Sequence, residues 1–177
     1  MITKERLREA TSERAAQEIY SELRQQGNYL DFTRLYMHEE DHRVARNAFW
    51  VLTKATDKEL EQLQTILHDL IDLAMKTENA AVRRLSLNII ERLQMKEEDL
   101  RTDFLDFSLE HMADPEEFPG IQCLCMKMAY RMCLFYPELM GELKRTLEAM
   151  EIYNYKASVK SLWKKILKEI ARQDACH

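Results

Sequence analysis

The run His38-Glu39-Glu40-Asp41-His42 spells H-E-x-x-H. On a continuous helix two histidines four residues apart share a face and can bind zinc, with the intervening glutamate as general base. The surrounding residues oppose that chemistry. The two variable positions, Glu40 and Asp41, are both charged, where a buried zinc helix takes uncharged side chains. No third ligand stands at a persuasive spacing, since Glu59 and Glu61 fall in a later helix. An acidic connecting turn is the expectation. The cysteines offer no better start. Cys123 and Cys125 point to different sides of a helix, while Cys125 and Cys133 take core positions, where thiols are commonly buried. Cys176 and His177 form a terminal pair expected to fray. His68 and His111 stand singly, and no Ser/His/Asp group or catalytic carboxylate pair is visible. The 177 residues contain three glycines and three prolines. That is too few for a G-x-G-x-x-G fingerprint or a Walker A loop, and too few for a hairpin-rich fold. No cofactor or metal is expected.

Any function must therefore lie on helices, and the helices repeat. Four segments align without gaps, starting at Val44, Val82, Ile121 and Val159, so their starts lie 38, 39 and 38 residues apart. Positions one, four, five, eight and nine of each are mostly apolar, the stripe of an amphipathic helix. The stretches between repeat as well: Leu67, Leu105 and Leu143 are each 38 apart. Each unit is thus a pair of helices, A then B. Thr56-Asp57-Lys58-Glu59 reads as a capping box, and Asn79 and Asn154 as N-caps. Gly27 closes an N-terminal helix over about Thr3 to Gln26, and Gly141 reads as marking a close helix contact.

The second helix opens with a pattern that carries a resemblance. Asp41-His42-Arg43-Val44 with Ala48 and Leu52, and Asn79-Ala80-Ala81-Val82-Arg83 with Ile90, resemble HEAT repeats. The third and fourth units keep the apolar frame but carry Ile121-Gln122 and Val159-Lys160 in place of Val-Arg. The resemblance covers about residues 29–173. It implies an all-α fold, an α-α superhelix or solenoid of about four two-helix repeats, with B helices lining the concave face. Residues 1–28 would be a capping helix and 29–56, 57–95, 96–135 and 136–173 the repeats, all in one domain. A more distant likeness in kind, to HEAT-like DNA alkylation-repair glycosylases, implies nucleic-acid binding. That family's catalytic motif has no residue-by-residue match here.

Charge sorts by helix. The net charge is -5, yet B segments 41–55, 79–94, 119–135 and 156–173 carry +2, +2, +2 and +5. A segments 57–78, 95–118 and 136–151 carry -4, -7 and -2. A shared B-helix face would be basic and would steer anionic partners. Helical geometry picks its exposed columns: Arg46 and Arg84 at position three, Phe49, Leu87, Met126 and Lys164 at six, Trp50, Asn88, Lys127 and Lys165 at seven, Tyr130 and Lys168 at ten. Two readings of the apolar members stand: an exposed ribbon, or packing against neighbouring helices. On the first, Arg46, Phe49, Trp50, Arg84, Leu87, Asn88, Lys127, Tyr130 and Lys165 form a surface for an acidic protein or peptide. Nucleic acid is the alternative partner and a homodimer a further one. The charged N-terminus and the lack of a long apolar run lead to a cytoplasmic, non-membrane expectation.

Overall fold

Five helix starts follow capping side chains, those of Thr3, Ser12, Asp41, Thr56 and Asn79. The computed structural model describes residues 1–176; His177, one of the expected fraying pair, lies outside the described residues. Eleven α-helices occur among them and no strand. They cluster into two compact units, the first covering Met1–Gln94 and the second starting at Met95.

In the first unit, Thr3 accepts the Arg6 N–H and Ser12 the Ala15 N–H. Two caps nine residues apart make two helices, α1 (Lys4–Arg8) and α2 (Glu13–Gln26), where one continuous helix was expected. Gly27 ends α2 at φ 67°, a left-handed conformation that favours glycine. Next come α3 (Tyr29–Tyr36) and α4 (His42–Leu52). The carboxylate of Asp41 caps α4, accepting the Arg43 and Val44 N–H groups at 3.0 and 3.4 Å. The Thr56–Glu59 capping box opens α5 (Asp57–Leu60) as expected. A 3-10 turn, Glu61–Ile66, then separates α5 from α6 (Leu67–Lys76). Its cause is legible: Leu60, Leu63 and Ile66 are all buried, and a spacing of three keeps them on one side of a three-residue turn. Asn79 caps α7 (Ala80–Arg92).

The second unit contains α8 (Thr102–Ala113), α9 (Pro119–Cys133), α10 (Pro137–Ala149) and α11 (Ala157–Ala175). Pro119 and Pro137 each occupy a first helical position, where a missing N–H costs nothing. Asn154 is not the cap of α11, which starts after Lys156. Its amide goes to the Glu151 carboxylate at 3.1 Å, inside a 3-10 turn. Gly141 marks no close approach, since a Cβ there would meet only the Arg145 side chain at 3.5 Å.

The repeat register places the core. Val44, Val82, Ile121 and Val159, the first stripe positions, are buried, as are Val51, Ile89, Met128 and Ile166 at the eighth. Within the first unit α4 packs against α1, α2, α3 and α7. Within the second α9 packs against α8, α10 and α11. Asn47, fully buried on α4, donates its amide to the Leu7 and Ala10 carbonyls at 2.7 and 3.0 Å. It thereby closes the end of α1. Asn47→Ala should cost about 2 kcal/mol, because the Ala10 carbonyl loses its side-chain donor and the Leu7 carbonyl is left with the Ala10 N–H. Urea unfolding should show a lower midpoint at unchanged slope. A loss below about 0.5 kcal/mol would show that another donor takes over.

Candidate functional site

Neighbouring cations on the B helices have opposite fates, decided by the 100° between successive residues. Arg83 turns back onto α6 and donates to the Ala74, Met75 and Thr77 carbonyls at 2.9, 3.4 and 2.5 Å. Arg84 points outward and is exposed. Arg92 likewise serves the end of α4, donating to Thr53 at 3.2 Å and to the Ala55 carbonyl. Arg84 and Arg46 together line a cleft of about 270 Å³ with Trp50, Leu85, Ala10 and Thr11. Neither arginine has a carboxylate partner among the described residues. Arg46 donates to the Asn47 side-chain oxygen at 3.0 Å. Trp50 is half-buried, with the Lys54 ammonium 5.4 Å from its ring centroid. Lys54 is held there by an ion pair to Glu13. The result is an aromatic wall under two unneutralised guanidinium groups. Asn88, half-buried, lies one turn beyond Arg84 on α7.

Three members of the expected apolar ribbon are not exposed. Phe49 is 1% exposed, and Leu87 and Met126 are 0%. A helix packed on several sides hides more than one stripe: α4 packs against α1, α2, α3 and α7, and Phe49 is buried along with its stripe residues. Phe49 and Leu87 are therefore core residues beneath the surface and cannot touch a partner directly. In the second unit Lys127 and Lys165 are exposed, and Tyr130 is half-buried with its hydroxyl accepting from Gln173 at 3.0 Å. The Ala10–Thr11 corner and Leu85 escaped sequence reasoning; the signal that could have found the corner is Ser12, whose cap starts α2 and breaks the chain there.

The H-E-x-x-H run is a turn. His38 precedes α4, His42 begins it, and both are exposed. Glu39 pairs with Lys4 at 2.5 Å, and Asp41 pairs with Arg8 at 2.8 Å. Among the described residues no group of three or more His, Cys, Asp or Glu could hold a metal ion. Burial pushes the Cys123 thiol up, and pushes the Cys133 thiol up to about 12. No helix among the described residues is long and apolar enough to cross a membrane.

The profile of the HEAT repeat domain matches residues 3–170. The chain belongs to the HEAT repeat family. No curated protein and no solved structure matches it. HEAT repeats generally act as protein–protein interaction scaffolds. Within this HEAT repeat chain the Val-Arg pair has a visible purpose: Val82 enters the core and Arg83 closes the preceding A helix. Gln122, in the same place of the third repeat, donates to the Asp114 carbonyl at the end of α8 at 2.6 Å. The apparent departure from the family pattern preserves its physics.

The hydrogen bond from Arg8 holds the Asp41 carboxyl below the ordinary carboxylate range, with the Arg43 and Val44 N–H groups adding to it. A folded pKa below the unfolded value of about 3.9 stabilises the fold above that value, and the contribution is lost as pH falls through the folded pKa. Asn also caps helices, so Asp41→Asn should fold and flatten the fall in stability between about pH 5 and pH 3. Urea unfolding at successive pH values checks this; an unchanged slope would remove Asp41 from the acid response.

Proposed function

We propose that the chain is a non-enzymatic interaction module that binds an acidic protein segment on the basic faces of its B helices. In the first unit Arg46 and Arg84 pair with carboxylates, and Trp50 receives an apolar side chain beside them; Asn88 adds a hydrogen-bonding group. In the second unit Lys127, Tyr130 and Lys165 serve the same kind of partner. The observation that carries this reading is the cleft itself. Two arginines without a carboxylate partner among the described residues flank a half-buried tryptophan. Lys4, Arg6, Arg8, Arg14 and Arg24 of the first unit have one, whereas Arg34, Arg43, Lys58 and Lys76 have none among the described residues; the cleft is marked by the half-buried tryptophan it shares with its two arginines. Arginine's planar fork matches a carboxylate in two parallel hydrogen bonds, and Trp and Arg dominate interface energetics.

The test is a fluorescein-labelled peptide of glutamates flanking a leucine, titrated against the chain and against the double variant Trp50→Ala with Arg84→Glu. Both side chains are at least partly exposed, so helix content by circular dichroism should be retained. Affinity should fall by about thirtyfold or more, the equivalent of ~2 kcal/mol at a hot spot. Undiminished binding by the variant would refute the cleft. Tighter binding of duplex DNA, with a steep loss as salt rises, would replace the acidic segment by a phosphate backbone.

A further inference from the structure

We propose that the outer face of α11 is a second docking surface, and that its partner is an acidic helix carrying Asp or Glu at every fourth residue. The proposal rests on the reading of the chain as a module for acidic protein segments, and it deepens that reading for the second unit through the row Lys160, Lys164 and Lys168, apart from the Arg46–Arg84 cleft.

One side of α11 is fastened. Val159, Ile166 and Ile170 are buried, and the helix packs against α9 and α10. The Trp163 indole N–H donates to the Leu147 carbonyl at 2.8 Å, and the Gln173 amide donates to Tyr130. The opposite side presents Ser161, Lys164, Lys165, Lys168 and Ala171, all exposed, with Lys160 half-buried at its margin. Lys160, Lys164 and Lys168 are four residues apart, so they form one i±4 ridge with a step of about 6 Å. None of these lysines has a carboxylate partner among the described residues. Arg172, the next residue in the row, does have one, Glu169 at 3.2 Å. Lys144 and Arg101 in the same unit are also paired, at 3.7 and 2.8 Å. Lys127, Lys156 and Lys165 of the same unit are also exposed without a carboxylate partner among the described residues, but Lys160, Lys164 and Lys168 are the three that line up along one helix.

Ridge geometry selects the partner. When two helices pack with their i±4 ridges interdigitated, those ridges run parallel, at an interaxial angle near about -50°. A row of carboxylates at four-residue spacing then meets the lysine row one for one. Ser161 and Ala171 leave the space beside the ridge low, which lets a second helix come close. Other polyanions fit less well. Bases need aromatic platforms to stack on; α11 has one aromatic residue, Trp163, and its ring N–H is tied to Leu147. A bilayer surface calls for large apolar or aromatic side chains between the cations, whereas this face places serine and alanine there. The exposed aromatics Phe118, Tyr136 and Tyr153 all lie outside α11.

The experiment uses the full chain and a fluorescein-labelled, Ala-rich 18-residue helical peptide with Glu at four-residue spacing. A second peptide of identical composition has its glutamates spread around the helix. A 20-nucleotide oligothymidylate and vesicles containing phosphatidylserine serve as competitors. The spaced peptide should bind about tenfold more tightly than the spread one, with affinity falling as salt rises from about 0.05 to 0.3 M because exposed pairs are screened. Lys164→Glu with Lys168→Glu should abolish that preference, and neutral Lys160→Gln, Lys164→Gln, Lys168→Gln should do so without reversing charge. Trp50→Ala with Arg84→Glu should leave it intact, which separates failure here from failure of the cleft. Equal binding of both peptides, no binding of either, survival of the preference in the lysine variants, or tighter capture by oligothymidylate or vesicles would each overturn the proposal.

Discussion

Every helix leaves its last carbonyls without intrahelical donors, and a chain with three glycines cannot close many helices with a left-handed residue. Gly27 does so once, the one positive φ among the described residues. Elsewhere side-chain donors from a packed neighbour take over. Asn47 closes α1, Arg92 closes α4, Arg83 closes α6, and Gln122 with the Tyr155 hydroxyl closes α8. Trp163 closes α10. Each such bond joins two elements, so the same group that satisfies a helix end also sets where the next helix lies. Even the Gly27 carbonyl accepts from Gln62 at 2.8 Å.

That constraint explains which cations are left for binding. Arg83 and Arg92 are spent on carbonyls, while Arg84, one residue from Arg83, faces a cleft. Arg46 neighbours Asn47 in the same way: one side chain is buried at a helix end, and the other lines the cleft. Surface charge and structural charge are thus interleaved along one helix, and only the direction of each side chain separates them. Net charge and segment charge, which count both alike, overstate the cations available to a partner.

The residues that most resemble an enzyme motif serve the same structural economy. Asp41 caps α4 and holds Arg8, and Glu39 holds Lys4, so the two acidic residues of H-E-x-x-H that make contacts tie α1 to the start of α4.

The amino-acid sequence alone determined the period, the order of A and B helices, the stripe residues from Val44 to Ile166 and the capping box at Thr56. All are local or strictly periodic features, and a 3.6-residue helix converts them into burial with little help. The fate of position six was decided by tertiary structure. Phe49 and Leu87 look exposed on an isolated helix wheel, but a helix inside a stack has neighbours on its flanks as well as beneath it. Lys164, at the same position of α11, keeps its solvent, because no described helix covers that side. A wheel has one inside and one outside; packing decides how many sides a helix must hide.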